Sequence, residues 1–149
     1  MSQRRQTALA AIDSYNQWSI SAIMAFRDPS CTHEILPKSL NQPLMDNKKY
    51  EAYFSSMIPA FKSFKVVVQD VFEDEKENKV VVWAESTADS VIGPYANEYM
   101  LAFYFNEAGD KVVRMLEFVD SKNSAVFFPK LKGWFEERAA EGSAGKGTA

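Results

Sequence analysis

Four runs rich in β-branched and aromatic residues follow one another between Phe64 and Asp120, and their connections are too short for a crossover. The runs are Phe64–Phe72, Lys79–Asp89, Tyr95–Phe105 and Lys111–Asp120. The charged stretch Glu73–Asn78, the break Val91-Ile92-Gly93-Pro94 and the polar loop Asn106–Asp110 separate them. Parallel neighbours need a dozen or more residues between strands, so these connections impose an antiparallel meander.

What precedes the meander is mostly helical. Ala8, Leu9, Ile12, Tyr15, Trp18, Ala22, Ile23 and Phe26 recur at three- and four-residue spacing, which predicts helix over residues 4–26 with a joint near Asn16–Ser19. Arg27-Asp28-Pro29-Ser30 stops that helix. A short extended piece, Cys31–Leu36, leads to Pro37 and a loop. Asp46 or Asn47 then caps a helix carrying Tyr50, Tyr53, Phe54, Met57, Ile58 and Phe61. After the strands, Ser121–Arg138 is expected to be helical at least beyond Pro129. Residues 139–149 are Gly/Ala/Ser-rich and are expected to form a disordered tail after a single domain over 1–138. Helices followed by a block of strands argue an α+β fold.

The strands are apolar on both faces. In the third, Tyr95, Asn97, Tyr99, Leu101, Phe103 and Phe105 share one side, and Met100, Ala102 and Tyr104 share the other with Glu98. A sheet covering one core alternates apolar with polar. The second face should therefore be covered too, and a homodimer through the convex face is the simplest cover. In the fourth strand Val113, Met115, Glu117 and Val119 lie opposite Arg114, Leu116, Phe118 and Asp120. Arg114 belongs outside, which turns Glu117 inward. An inward carboxylate must be paired, hydrogen-bonded or protonated. That leaves two readings of Glu117: half of a structural contact, or a general acid or base.

Composition and motif narrow the classes. The net charge is −3 with Lys and Arg scattered, which gives no footprint for nucleic acid. There is no run of 18 apolar residues and no secretory h-region, and one cysteine allows no internal disulfide, which fits a cytoplasmic protein without a membrane anchor. No Gly-rich phosphate loop or G-x-S-x-G elbow occurs. With only Cys31 and His33 as soft ligands, neither a metal nor another cofactor is expected. Cys31 and His33 share a strand face, so they form either a nucleophilic pair or core packing. His33, the lone histidine, is either an ordinary edge residue or a proton shuttle.

The segments Arg27–Leu40, Gly93–Tyr99 and Glu117–Ser121 resemble the SnoaL-like polyketide cyclase family of the nuclear transport factor 2-like fold, and most of all its fungal secondary-metabolism members, the meroterpenoid isomerases and cyclases. The resemblance runs over residues 5–135. It implies a cone: a curved, mainly antiparallel sheet of four to six strands around about three helices. It also implies cofactor-independent acid–base chemistry on a polyketide- or terpenoid-type small molecule. Glu117 would be the pocket acid or base, where bacterial members carry Asp. His33 and Asp120 would be supporting proton donors, and Asn97 and Tyr99 would hydrogen-bond an oxygenated substrate. Arg27, Lys38, Tyr50, Phe54 and Met115 would complete the substrate contacts. A dehydratase of the same fold, or a non-catalytic binding or scaffold module, is the alternative. An open cavity of ~300 Å³ or more, with Glu117 and His33 facing it, favours the enzyme.

Overall fold

The computed structural model of the chain describes the backbone of residues 1–147 and the side chains of residues 1–142. Helix α1 (Gln3–Asp13) is followed by a 3₁₀ turn (Ser14–Gln17), helix α2 (Ile20–Met24), strand β1 (Arg27–Leu36) and helix α3 (Asn47–Met57). Strands β2 (Phe61–Asp74), β3 (Lys79–Ser90), β4 (Gly93–Phe105) and β5 (Val112–Val119) follow, and α4 (Ser121–Gly147) closes the order. The sheet order is β1-β5-β4-β3-β2. The meander pairs antiparallel, and β1 runs parallel to β5. This is the expected α+β fold. Register shifts in β2 at Lys62/Lys65 and Val68/Asp70 mark bulges, which bend a strand and deepen the curl of its sheet.

The first helical stretch breaks at the joint expected near Asn16–Ser19, where Trp18 takes a left-handed conformation (φ 50°). Its ring stacks on Phe64 at 4.5 Å and its indole N–H donates to the Ile58 carbonyl, so tertiary contacts set the joint. Strand β1 begins at Arg27 rather than Cys31. Pro29 lies inside it, in the irregular stretch between Arg27 and Thr32, on an edge strand where a missing N–H is tolerated. Helix α4 starts at Ser121 and passes through Pro129. The tail expected to be disordered from residue 139 is helical to Gly147, where Ala139, Ala140 and an Arg138–Glu141 pair favour helix; residues 148–149 lie outside the described residues.

Three apolar clusters fill the concave side. In the first, Ala8, Ala11 and Ile12 of α1 meet Val80, Val82, Leu101, Phe103 and Met115 of the sheet. The small alanines let the helix lie close to the strands. The second joins Ile23, Ile35, Met45, Tyr50 and Val119. The third joins Phe61, Ala88, Tyr95 and Leu131, with Phe127 and Phe128 of α4 against it. That packing holds α4 together across Pro129, against its low intrinsic propensity.

The outer face carries exposed Val67, Phe72, Trp83, Met100 and Phe118, with Glu85, Glu98 and Arg114 among them. Both charge signs lie within one apolar patch, which suits self-complementary pairing about a two-fold axis, so a second copy of the chain is the cover we propose. Light scattering at micromolar concentration should give about twice the 16.8 kDa of the chain, and the monomer mass would overturn the dimer. No helix among the described residues is long and apolar enough to cross a membrane.

Candidate active site

The three clusters meet at Glu117. The alternation of β5 sends it inward, as expected, between buried Met115 and Val119. Its side chain borders three cavities. The largest, about 570 Å³, is walled by Ile35, Leu40, Met57, Val119, Phe128, Leu131 and Phe135, with Tyr53, Tyr95, Asn97 and Ser124 as its polar points. Exposed Gln42, Lys132 and Glu136 also border it. Chambers of about 70 and 60 Å³ lie under α1 and α3.

His33 lies behind Glu117. It is 0% exposed and held in β1 by reciprocal backbone bonds with Met45 (2.8 and 2.9 Å). Its ring stacks on Tyr50 at 4.2 Å. Its Nε2 lies 2.9 Å from Glu117 Oε1, and its Nδ1 lies 3.1 Å from Arg27 Nη1. Arg27 Nε–H donates to Asn47 Oδ1 (2.8 Å), and Asn47 Nδ2–H donates to the Asp28 carbonyl (2.8 Å). A continuous chain thus runs from the start of β1 to the carboxylate. It contacts only one Glu117 oxygen, and Oε2 has no protein partner among the described residues.

The second polar chain runs along β4. Asn97 Nδ2–H donates to Tyr95 Oη (2.9 Å) and to Ser124 Oγ (3.3 Å); Tyr95 and Tyr99 hydroxyls are 3.2 Å apart, and Tyr99 reaches Ser86 Oγ at 2.7 Å. Tyr15 and Tyr50 share a short hydroxyl contact. Tyr53 alone among these phenols has no hydrogen-bond partner among the described residues, and it borders both the main cavity and the smallest chamber. Burial pushes the phenols of Tyr15, Tyr50, Tyr53, Tyr95 and Tyr99 up, and the nearby Glu117 charge adds to this in each. All five remain neutral hydrogen-bond donors.

The imidazole of His33 shifts the other way. Burial pushes it below its usual 6.5, the Arg27 charge acts in the same direction, and Glu117 opposes both. The folded protein therefore binds this proton less readily than the unfolded chain does. Its contribution to stability is fully present above about pH 6.5 and is lost as pH falls below that value toward the folded pKa. Denaturant midpoints of the wild type should drop with acid in this window more steeply than those of His33→Gln. Equal slopes would show that His33 is not buried neutral.

The other expected residues divide. Phe54, Met115 and Tyr99 line the small chambers, Asn97 lines the main cavity, and Tyr50 lines one chamber while clamping His33. Arg27 lines none of these three cavities; its side chain backs His33. Lys38 is exposed on a 3₁₀ turn whose neighbours, Ser39 and Leu40, line the main cavity in its place. Asp120 is exposed, and its Oδ1 accepts the Asn123 N–H at 3.2 Å, so it caps α4 and lies outside the pocket. Cys31 is buried and its thiol pushed up by that burial, while both His33 ring nitrogens are engaged elsewhere; the pair is packing. Tyr53 and the α4 wall were not singled out from sequence, although Tyr50, Tyr53, Phe54 and Met57 share one helical spacing.

No family model matches the chain. Core atranone cluster protein 11 of Stachybotrys chlorohalonatus is 34% identical over 133 residues, 89% of this chain and 99% of that protein. The chain belongs with this family of fungal secondary-metabolism cluster proteins. A relative called monooxygenase nsrQ, from Aspergillus novofumigatus, is 31% identical and aligns over 80% of each chain. The crystal structure of BvnE pinacolase from Penicillium brevicompactum superposes with a TM-score of 0.84 at 26% identity, covering 88% of this chain and 92% of that one. A SnoaL-like polyketide cyclase from Shewanella denitrificans, at 10% identity and a TM-score of 0.69 over 85% of this chain and 97% of its own, shares the fold.

Proposed function

We propose that this SnoaL-like protein is a cofactor-independent isomerase or cyclase that moves a proton on a polyketide- or terpenoid-type secondary metabolite. One observation carries the reading: Glu117 is the carboxylate that borders the main cavity and both chambers alike, with one oxygen anchored by His33 and the other without a protein partner among the described residues. In an apolar wall, such a group accepts a proton from a bound molecule and returns it elsewhere without competition from bulk water. The free Tyr53 hydroxyl is placed to donate to a substrate oxygen as charge develops. The β4 network of Asn97, Tyr95 and Tyr99 ties together the polar side chains on the strand next to Glu117.

The cavity favours catalysis over a scaffold role, because about 570 Å³ exceeds the ~300 Å³ that separates a ligand site from a filled core. His33 meets only part of that criterion, since it reaches the cavity through Glu117 rather than facing it. The relatives' names support biosynthetic chemistry and differ in reaction.

The test is the composition of the product. Deleting the gene should make its host accumulate a precursor, and the purified protein should convert that precursor into an isomer of the same elemental composition. Loss of water would make the protein a dehydratase, and gain of an oxygen atom would place it with its monooxygenase-named relative; either would overturn the isomerase assignment.

A further inference from the structure

We infer that Arg27 is a positioning residue that locks His33 in one neutral tautomer, with the proton on Nε2, so that the imidazole is a permanent donor to Glu117 Oε1 and not a proton shuttle. This goes beyond the proposed activity and holds whether or not Glu117 proves catalytic.

Counting donors and acceptors fixes the tautomer. A guanidinium carries five N–H donors and no acceptor. Arg27 Nη1 lies 3.1 Å from His33 Nδ1, so that nitrogen must present its lone pair. The proton of a neutral imidazole is then on Nε2, which lies 2.9 Å from Glu117 Oε1. Each ring nitrogen has one role, and reversing either leaves two donors or two acceptors face to face.

Arg27 is itself held. Nε–H donates to Asn47 Oδ1, and the guanidinium lies over the Tyr50 ring at 4.2 Å. Its buried Nη2 has no partner among the described residues, so the guanidinium's protein contacts run through Nε and Nη1. The groups around the imidazole reinforce the state. Glu117 comes from β5 and Arg27 from β1. Tyr50 stacks from α3, with Tyr15 behind it, and Cys31 lies on the same face of β1. The phenols and the thiol are neutral, pushed up by burial, and burial disfavours the charged imidazolium. One consequence reaches the site: with Oε1 always engaged by His33, Oε2 is the Glu117 oxygen left without a protein partner among the described residues, and so the more available to take a proton from a ligand.

His33 is the only histidine, so imidazole ¹⁵N spectra of labelled protein need no assignment. We expect one unprotonated, pyridine-like nitrogen at Nδ1 and one protonated nitrogen at Nε2, unchanged between about pH 6 and 8, where a free histidine titrates. Glu117→Gln should keep this pattern, because the amide oxygen still accepts from Nε2–H. Arg27→Met should lose it, giving a titrating ring or a mixture of tautomers, and Arg27→Lys, which retains a cationic donor, should restore it. Two protonated nitrogens at neutral pH, or the proton on Nδ1, would overturn the lock in the wild type alone, even if Arg27→Met fails to fold. An unchanged pattern in folded Arg27→Met would overturn the role of Arg27. Loss of activity in Glu117→Gln bears on the proposed function and leaves the lock intact.

Discussion

His33→Ala should lose about 3 kcal/mol of stability, which for a chain of this length lowers the melting temperature by roughly 6–12 °C. The ring is 0% exposed and stacks on Tyr50, so its removal leaves a buried void. The larger cost is polar. Arg27 Nη1 loses its acceptor beside an Nη2 that already has none, and Glu117 Oε1 loses its donor. A partly buried cation left short of partners, together with the void, is among the few causes of a single-residue effect this large. His33→Gln, whose amide carries both an acceptor and a donor, should recover part of the loss. A His33→Ala protein melting within about 2 °C of wild type would show that the Arg27–His33–Glu117 chain contributes little to the fold.

Much of the fold was legible because the sequence states it locally. Short connections around Glu73–Asn78 and Asn106–Asp110 permit only hairpins, and strict alternation through Met115, Glu117 and Val119 assigns Glu117 to the inside. The cap at Asp46 was equally local: its side chain accepts from the Lys49 N–H. Features set by distant contacts were not legible. Helix α4 runs through Pro129 because Phe127 and Leu131 are anchored on the third cluster.

In the site, residue type was a weaker guide than position. Arg27 and Lys38 entered as ligand contacts through the family resemblance, and a resemblance in sequence reveals neither the direction nor the partner of a side chain. Arg27 turns back onto His33, and Lys38 turns to solvent. Asp120 carried a competing local signal. An acid followed by Asn123 before the run Val126, Phe127, Phe128 is a helix start, and capping is the role it takes. His33, an edge-strand residue in sequence, is central because β1 lies parallel to β5 and brings it beside Met115 and Glu117, a pairing between segments some eighty residues apart.

Glu117→Gln should fold as the wild type does, melt at the same or a higher temperature, and lose on the order of 10²-fold or more in turnover. The amide keeps the size of the side chain and still accepts the His33 Nε2–H. It places an NH₂ group where Oε2 lay, and an amide is far too weak a base to take a proton from a ligand. Stability should not suffer, because the group directly facing the carboxylate is a neutral imidazole rather than a cation left alone, and a partly buried charge is removed. Were Glu117 half of a structural ion pair, the same change would destabilise by roughly 3 kcal/mol. The decisive measurement is turnover per folded molecule of Glu117→Gln on the accumulated precursor, taken alongside its melting curve. Catalysis by Glu117 predicts an unchanged or raised melt with turnover down on the order of 10²-fold; a protein that melts much lower yet keeps full activity per folded molecule would contradict it.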